Sequence, residues 1–465
     1  MKQPLKQYNN IDIIADTIEG KGIAHIEQKV VFIQRALSGD QCDIQMKKSF
    51  RRHSEASVIQ IHKSSEDRAA PHCNHYELCG GCSLQHMNYK KQLLVKETHV
   101  KDSLERIGKV TYKKFNPIIG AIKTEYYRNK LDFAFSSKRW LTVEEIQTLP
   151  ENAERTGLGF HLAGMFDKVL DLNYCYHQDE RSNTIRNFVK EKSRLFEIPF
   201  YDVRNHEGVL RNLIIRNTTL DEWMVILCFT ELNDATKTLL EAIKEEFLFI
   251  TSLMYTVNTK KNDVIYDLEI VLFSGKDAIL ESLDGFKFKI RPKSFFQTNS
   301  QQAAILYQEI VKIAAINKSD IVYDLYTGVG SIAIYIANLA RKVVGIELIE
   351  DAIKDAKENA LLNQVDNLSF FASDIKNMLD DTFIEQHGKP DIIITDPPRA
   401  GMEVPVLEML LKMECPKIVY VSCNPGTQAR DLAILQEKYT IELVQPVDMF
   451  PHTAHVESIA LLLLK

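Results

Sequence analysis

One cysteine of the chain, Cys423, stands where a thiol could act as a nucleophile. The segment KIVYVS before it is typical of a strand, and Asn424-Pro425-Gly426-Thr427 after it turns the chain into a helix. Cys423 would then lie at the carboxyl end of a strand and beside the amino terminus of a helix, a position that lowers the pKa of a thiol. We therefore predict that Cys423 is a nucleophile and not the small core residue that a lone cysteine usually is.

A general base for such a nucleophile could come from the C-terminal segment, which offers three candidates. The polar stretch from Asp448 to Glu457 separates two apolar runs and contains His452, His455 and Glu457. Histidine is the more common general base in enzymes, but a carboxylate can also take a proton. The residue types alone leave the choice among these three side chains open.

A glycine turn after another apolar strand predicts a ligand that contains adenosine. Strand IVYDLY runs into Thr327-Gly328-Val329-Gly330, where a ligand can come close to the backbone. The next strand, KVVGIEL, carries Glu347 near its end, and a carboxylate there could accept both hydroxyls of a ribose. Gly328, Gly330 and Ala333 also have dinucleotide-binding spacing, so a nucleotide-dependent oxidoreductase is an alternative for this segment.

A stiff acidic turn follows the apolar strand DIIIT. In Asp396-Pro397-Pro398-Arg399, two prolines fix the backbone directly after the acid and leave no donor to extend a sheet. Such a turn suits the binding of a planar base or of the amino end of a cofactor, and the alternative is an ordinary proline turn. Asp374, after strand LSFFAS, could contact an adenine or cap a helix.

Four of the eight cysteines form a candidate metal site. Cys73, Cys79 and Cys82 are clustered in HCNHYELCGGCSLQH, and Cys175 is the best candidate for a fourth ligand. Four thiolates suit either a structural zinc ion or an iron–sulfur cluster, and the spacing does not choose between them. We interpret the remaining cysteines outside the active site, Cys42, Cys228 and Cys415, as core residues.

The pattern of elements predicts three domains. Short strands separated by glycines over residues 1–68 indicate a small β-barrel, in which the stretch KKSFRRH could contact an RNA backbone or form a solvated edge. Residues 69–290 contain the cysteines and β-rich segments typical of a mixed α/β domain. Strands alternate with helices over residues 291–465, which indicates a Rossmann-like, doubly wound parallel sheet.

Composition excludes several classes of protein. The 465 residues carry a formal net charge of -6, so RNA binding would depend on local basic patches. The first residues show no signal-peptide pattern, and no run of 18 apolar residues is present, so we expect neither secretion nor a membrane span. We expect a cytoplasmic protein that works as a monomer without an obligate protein partner.

Taken together, the motifs resemble those of the bacterial RNA uracil-5-methyltransferases, most closely their ribosomal-RNA members. The resemblance rests on DLYTGVG, DPPRAG, VSCNPGTQARD and FPHTAHVES in this order, and it covers almost the full chain. The N-terminal barrel is similar to a TRAM domain, an RNA-binding module. The segment CGGCSLQH resembles the iron–sulfur segment of this family.

The resemblance assigns roles to individual residues. Cys423 would add to carbon 6 of uracil, and Glu457 would later remove the proton from carbon 5. S-adenosylmethionine, the methyl donor, would be bound by Gln297, Tyr326, Glu347 and Asp396. A [4Fe–4S] cluster would be held by Cys73, Cys79, Cys82 and Cys175.

The resemblance also implies an RNA partner and a target. Arg128 and Lys130 would contact phosphates, the target base would swing out into the pocket, and part of residues 92–122 would pack with the catalytic domain. Because the transfer-RNA enzymes of the family generally lack the barrel and the cluster, we expect 23S ribosomal RNA as substrate, with transfer RNA as the alternative. The usual Pro-Gly turn of the barrel is replaced by Ser38-Gly39-Asp40, a departure that concerns only the barrel's RNA preference.

Three rival functions are possible. Two of them leave part of these motifs unexplained, and the third differs from uracil methylation in one step. An iron–sulfur oxidoreductase would not use Cys423 or the Asp-Pro-Pro turn. A non-catalytic RNA-binding protein would not need both Cys423 and Glu457. A cytosine-5-methyltransferase would need an acid to protonate the cytosine ring.

Overall fold

The computed structural model describes residues 6–465; residues 1–5, which begin the predicted N-terminal domain and the segment without a signal pattern, lie outside the described residues. The chain starts with a six-stranded sheet in the order β1-β5-β6-β4-β3-β2. Its strands are β1 (Gln7–Asp12), β2 (Ala15–Asp16), β3 (Lys21–Ile26), β4 (Lys29–Gln34), β5 (Gln41–Ser49) and β6 (His53–Lys63).

The two edges of this sheet are formed by neighbouring stretches of chain. Only two residues separate β1 from β2, although these strands lie at opposite ends of the hydrogen-bonded order. The sheet must therefore curl round on itself, as strands do when a sheet approaches a barrel. Ile33, Cys42 and Ile44 are fully buried inside it. At the turn between β5 and β6, the ring of Phe50 is 46% exposed and stacks on His53 with a centroid distance of 4.6 Å.

A helical segment connects this sheet with the rest of the molecule. Asn88 accepts a hydrogen bond from the Lys91 amide and begins α1 (Tyr89–Asp102), which continues into a π-helical turn (Ser103–Gly108). A β-carbon at Gly108 would lie 2.6 Å from the Ala429 carbonyl oxygen, so only glycine fits this close approach. Strand β7 (Tyr112–Phe115) follows and pairs with a strand near the C-terminus.

The central region is a seven-stranded mixed sheet in the order β10-β9-β8-β11-β12-β13-β14. Buried aliphatic and aromatic side chains fill the space between this sheet and its helices, among them Phe133, Trp223 and Leu240. The elements are β8 (Lys130–Ser136), α2 (Val143–Thr148), β9 (Gly157–His161), β10 (Val169–Asp171), α3 (Arg181–Leu195), β11 (Leu210–Asn217), β12 (Trp223–Phe229), α4 (Asp234–Glu246), β13 (Ile250–Val257) and β14 (Val271–Gly275).

A hairpin lies between the central sheet and the C-terminal region. It consists of β15 (Ile279–Leu283) and β16 (Phe286–Ile290), joined by Asp284 and Gly285, which both have positive φ angles as a tight hairpin turn requires. The side chains of Ile279 and Phe288 belong to one core that also contains residues of the C-terminal helices and of the central sheet. This core is continuous across residues 290 and 291, where the sequence predicts a domain boundary.

The C-terminal region is an eight-stranded sheet in the order β19-β18-β17-β20-β21-β23-β22-β7. Its strands are β17 (Ile321–Leu325), β18 (Lys342–Glu347), β19 (Leu368–Ala372), β20 (Ile392–Thr395), β21 (Lys417–Ser422), β22 (Tyr439–Val447) and β23 (Glu457–Leu464). The helices are α5 (Ser300–Ala314), α6 (Ser331–Ala337), α7 (Glu350–Leu362), α8 (Ile375–Met378), α9 (Asp381–His387), α10 (Val404–Met413) and α11 (Pro425–Leu435).

Five of these strands are parallel, and the chain reverses its direction of progress through the sheet at β17. β18 and β19 lie on one side of β17, whereas β20 and β21 lie on the other, so a crevice forms outside the carboxyl ends of the central strands. This arrangement confirms the predicted Rossmann-like domain beside an N-terminal β-rich region and a mixed central one. Among the helices within residues 6–465, none combines the length and the apolar composition needed to cross a membrane.

Candidate active site

Three of the predicted binding residues occupy one row at the carboxyl edge of the parallel sheet. Leu325 of β17 is in register with Ile346 of β18 and with Thr395 of β20. The residues that follow in each strand are Tyr326, Glu347 and Asp396. The parallel register therefore brings these three together, as the sequence predicts, although they are up to 70 positions apart in the chain.

The glycine turn above this row leaves room for a ligand. A β-carbon at Gly328 would have no atom within 4 Å, and the residue has a φ angle of +56°, which favours glycine. The Gly328 amide donates to Oε2 of Glu347 at 3.2 Å, and the Ile349 amide donates to Oε1 at 3.0 Å. The Glu347 carboxylate is thus fixed beside an open backbone, as the binding of ribose hydroxyls requires.

Asp324 is a site residue that motif reasoning overlooked. It is buried at the end of β17, where its Oδ2 accepts hydrogen bonds from Thr327 Oγ1 at 2.5 Å and from the Ala333 amide at 3.1 Å. Burial raises the pKa of Asp324 to about 7, and Asp396 adds to the effect. Its position inside DLYTG, next to a recognised turn, is the sequence signal that could have identified it.

Asp396 adds a further acid to this edge. Its amide donates to the Leu325 carbonyl oxygen at 3.4 Å, which extends the ladder by one residue before the two prolines end it. Burial raises the pKa of the Asp396 carboxyl. A cationic ligand would relieve the cost of holding these acids in a half-buried pocket. Asp374, by contrast, caps α8 by accepting from the Lys376 amide, which is the capping alternative considered for it.

Cys423 and Glu457 lie opposite each other at the ends of two paired strands. β21 and β23 are antiparallel, and their last pair is Ser422 with Ser458. The next pair in this register is Cys423 with Glu457, and directly opposite residues of an antiparallel pair have β-carbons about 5 Å apart. The thiol is partly exposed, whereas Glu457 is only 4% exposed. Neighbouring strands therefore hold the predicted nucleophile and one of the candidate bases side by side.

The predicted lowering of the Cys423 pKa is wrong for the free protein. Burial, together with the nearby carboxylates of Glu457 and Asp396, raises the pKa of this thiol to about 11, against the opposing charge of Arg399. The helix amino terminus gives little help because Pro425 has no amide hydrogen and the Gly426 amide already donates to Asn424 Oδ1 at 3.1 Å.

The environment of the three candidate bases favours Glu457. Burial and the nearby Asp396 raise the pKa of Glu457 to about 8, so this carboxyl can exchange a proton near neutral pH. Burial lowers the pKa of His452 to about 4, and burial together with Arg399 lowers that of His455 to about 4. His452 is also tied to Gln92 through its backbone amide and its ring.

Gln297 lies just before α5, apart from the row of acids along the strand ends. Its carbonyl oxygen accepts a hydrogen bond from Asn129 Nδ2 at 2.9 Å, so the segment is anchored to the central region. From α5 itself, the Tyr307 hydroxyl is within 2.9 Å of Ser331 Oγ at the start of α6. The hydrogen bonds found within residues 6–465 do not join the Gln297 side chain to Tyr326, Glu347 or Asp396.

Two arginines lie beside aromatic rings of the loop that precedes Glu457. The Arg128 guanidinium lies 5.1 Å from the centre of the Phe450 ring, and Arg399 Nη2 lies 3.5 Å from His455 Nε2. Two cations beside aromatic faces suit a phosphate and a base of RNA. Lys130 differs in its charge, because desolvation and the nearby Arg216 lower its pKa to about 8, while its side chain stays partly exposed.

The four predicted metal ligands line a single cavity. Cys73, Cys79, Cys82 and Cys175 all contribute to its walls, together with aromatic and histidine side chains. No aspartate, glutamate, lysine or arginine of residues 6–465 lines this cavity. Cys42, Cys228 and Cys415 are fully buried elsewhere, which confirms them as core residues.

One thiol of this cavity lies close to a histidine nitrogen. Cys82 Sγ lies 2.9 Å from His177 Nε2, and burial raises the pKa of the Cys82 and Cys175 thiols and that of Cys79 to about 12. In the part of the chain that the structure describes, no group of three or more histidine, cysteine or acidic side chains is arranged to hold a metal ion. The side chains of this cavity are therefore not preassembled as a metal site, either for a zinc ion or for a cluster.

Comparison with known proteins gives consistent results. Residues 214–465 match the family model described as tRNA (uracil-5-)-methyltransferase. A relative from Bacteroides thetaiotaomicron, described as an uncharacterized RNA methyltransferase, is 48% identical over 96% of this chain and 99% of its own length. A relative from Porphyromonas gingivalis with the same description is 47% identical over 96% of this chain and 97% of its own.

A solved structure extends the likeness to the fold of the whole chain. The Pyrococcus abyssi tRNA (uracil-54, C5)-methyltransferase, in complex with S-adenosyl-L-homocysteine, superimposes with a TM-score of 0.73 at 28% identity. The match covers 97% of this chain and 100% of that one. The family model, the relatives and this structure together show that the chain belongs to the S-adenosylmethionine-dependent RNA (uracil-5-)-methyltransferase family.

Proposed function

We propose that this enzyme methylates carbon 5 of a specific uridine in RNA through a covalent adduct with Cys423. The observation that carries the proposal is the pairing of Cys423 with Glu457 at the ends of β21 and β23. Carbon 5 of uracil is a poor nucleophile, and addition of a thiolate at carbon 6 makes it an enolate carbon that can take a methyl group. The methylated carbon then still carries a proton that a base must remove.

The steps of the reaction and the binding of the methyl donor are assigned to individual residues of this chain. Cys423 forms the bond to carbon 6, and Glu457 accepts the proton from carbon 5, after which the carbon–sulfur bond breaks and the ring double bond returns. Tyr326, Glu347, Asp396 and Gln297 are proposed to bind S-adenosylmethionine, whose sulfonium supplies the methyl group. The open space over Gly328 and the acids of the strand ends suit its adenosine and its positive charge.

The pKa of Cys423 in the free enzyme supports activation of the thiol only after the cofactor and the RNA have bound. With the pKa of Cys423 at about 11, the thiol is protonated near neutral pH. A cationic cofactor beside Asp396 would offset the carboxylates that raise this pKa, and Arg399 acts in the same direction. We infer that the thiol becomes reactive only when cofactor and RNA are both bound.

For the substrate, 23S ribosomal RNA is our first proposal and transfer RNA the second. The curled N-terminal sheet, with its exposed Phe50 among cations, is proposed to be a TRAM-like RNA-binding domain over residues 1–68, followed by a central domain (69–290) and the methyltransferase domain (291–465). Transfer RNA is favoured by one observation: the archaeal enzyme matched over its full length is described as acting on transfer RNA. Work on either RNA implies a cytoplasmic enzyme, which we propose acts as a monomer.

For the cysteine cavity, we propose a [4Fe–4S] cluster. The donor set consists of four thiols with neutral histidines around them, which suits a soft, thiolate-held group. A cubane is larger than one ion, so its ligands need not converge on a point. Iron and sulfide analysis of anaerobically purified protein tests this, and zinc in place of iron would contradict it.

The experiment for the reaction is nucleoside analysis after incubation with S-adenosylmethionine and either 23S ribosomal RNA or transfer RNA lacking the modification. We expect 5-methyluridine in the ribosomal RNA and none with Cys423→Ala. Product in transfer RNA alone would select the second substrate. Product from the Cys423→Ala variant, or 5-methylcytidine, would contradict the proposed mechanism.

A further inference from the structure

Helix α1 presents a buried stripe of polar side chains. Tyr89, Gln92 and Lys96 follow each other at i, i+3 and i+7, so they share one face of the helix. Gln92 is 1% and Lys96 0% exposed. Polar groups on a buried helix face cost stability unless they are paired, which raises the question of what this stripe binds.

The stripe meets the loop that precedes Glu457. Lys96 Nζ donates to Asp448 Oδ1 at 2.6 Å and to the Phe450 carbonyl oxygen at 2.9 Å, and the Tyr89 hydroxyl donates to Asp448 Oδ2 at 2.9 Å. Both Lys96 and Asp448 have fully buried side chains. A pair of this kind is strongly directional, because neither charge has water as an alternative partner.

Further along the same loop, His452 is held from both sides. Its amide donates to Gln92 Oε1 at 2.9 Å, and its ring Nδ1 lies 3.1 Å from Gln92 Nε2. Its carbonyl oxygen accepts from the Ser83 and Leu84 amides at 2.8 and 3.0 Å. His452 has a φ angle of +66°, an unfavourable conformation for a residue with a side chain, so these bonds maintain a shape that the loop would not adopt alone.

The loop depends on contacts of this kind because the β22–β23 ladder does not extend into it. β22 and β23 pair as far as Val447 with Glu457, and residues 448–456 leave the ladder. Glu457 is the first residue of β23 after this loop, so the course of the loop determines the position of its carboxylate. Phe450 and His455, whose rings lie beside Arg128 and Arg399, belong to the same loop.

We propose that Tyr89, Gln92 and Lys96 are positioning residues of the reaction, which fix the 448–456 loop so that Glu457 faces the Cys423 adduct. The inference rests on the proposed function, since it concerns the step at which Glu457 removes the proton. Gln92 and Lys96 are buried, so they act on the reaction through the loop. Their loss is expected to slow release of the methylated RNA more than its formation.

The test compares the same substitution at a fully buried lysine–aspartate pair and at a partly buried one. Lys96→Met removes the pair at the loop, and Lys190→Met removes the pair of Lys190 with Asp171, whose Nζ–O distances are both 3.1 Å, in the central region. Each variant is measured for thermal unfolding, S-adenosylmethionine affinity by titration, and RNA–protein adduct on a denaturing gel during one turnover. Glu457→Gln serves as the reference for complete trapping.

We expect Lys96→Met to keep its cofactor affinity and to release methylated RNA roughly tenfold or more slowly, because small displacements of a catalytic group have large effects on rate. Lys190→Met should lose stability without accumulating adduct. Equal release rates for the wild type and Lys96→Met would overturn the inference. If Lys96→Met does not fold, Asp448→Asn is judged by the same readings. Adduct in neither Glu457→Gln nor Lys96→Met would instead refute the proposed function.

Discussion

The active-site thiol and the cavity thiols are both partly or wholly removed from water, yet the molecule holds them in different ways. Cys423 lies at the end of a paired strand, opposite Glu457, in the most regular part of the sheet. Cys73, Cys79 and Cys82 lie on turns outside the helices and strands, and Cys175 lies on the loop after β10. Regular strands fix a side chain before any ligand binds, whereas loops often need the bound group to fix them.

The neighbours of the two kinds of thiol also differ. Carboxylates face Cys423, so its pKa depends on charges that the substrates can change. The cavity thiols face one another and histidines whose pKa values burial holds below the ordinary range, such as His75 and His177. The comparison suggests that the first site is built for a reaction and the second for permanent ligation.

The largest expected effect is the loss of activity in Cys423→Ala. Without the thiol, carbon 5 cannot be activated, so the methylation rate should fall by a factor of about 10³ or more. Stability and cofactor affinity should stay close to those of the wild type, because the side chain is small and partly exposed. Methylation kinetics and thermal unfolding measure the two effects, and a stability loss that accounts for the missing activity would remove the distinction between the two sites.

A second prediction concerns the cavity. Cys82→Ser should lower the iron content and reduce the melting temperature by about 5 °C or more, since the free energy of ligation adds to that of folding. Protein that remains folded should still bind S-adenosylmethionine. Iron analysis and calorimetry test this, and unchanged iron with a normal melting temperature would show that Cys82 is not a ligand.

A third prediction follows from the raised pKa of Glu457. Its folded-state pKa of about 8 lies above the ordinary value of 4.5, so ionising this carboxyl costs more in the folded protein than in the unfolded chain. The free energy of unfolding should therefore fall as the pH rises from 4.5 towards 8. Glu457→Gln removes this cost, and its stability advantage over the wild type should grow by about 1 kcal/mol or more between pH 5.5 and pH 8.5. A constant difference across this range would contradict the raised pKa.

The smallest effect is expected from Cys415, whose thiol belongs neither to the active site nor to the cavity. Cys415 Sγ donates weakly to the Pro390 and Lys417 carbonyl oxygens at 3.4 and 3.3 Å in the core. Cys415→Ala should cost about 1 kcal/mol of stability and change neither iron content nor methylation. Denaturant unfolding measures the cost, and any loss of iron would mean that the division of the cysteines is incomplete.

Much of the fold could be predicted from the sequence because the parallel strands are continuous apolar runs with glycine or acid at their ends. The same pattern located Glu347, Asp396 and Cys423 at one edge. Asp324 was overlooked because it lies inside an apolar strand, although its place in DLYTG, just before the glycine turn, was a signal that could have identified it.

The contacts between distant segments could not be predicted. Lys96 and Asp448 are 352 positions apart and meet only because α1 packs against the C-terminal loop. The pKa of Cys423 was predicted in the wrong direction, since the sequence shows the helix but not the proline and asparagine geometry that occupies its amino terminus. Burial, in both cases, is a property of the assembled fold.

The central claim is that Glu457 takes the proton that frees the RNA from Cys423. The most direct measurement is mass spectrometry of the Glu457→Gln variant after incubation with RNA and S-adenosylmethionine, digested to nucleotide–peptide conjugates. We expect a 5-methyluracil nucleotide attached to the peptide that contains Cys423. Free 5-methyluridine RNA released at the wild-type rate, with no conjugate, would contradict it.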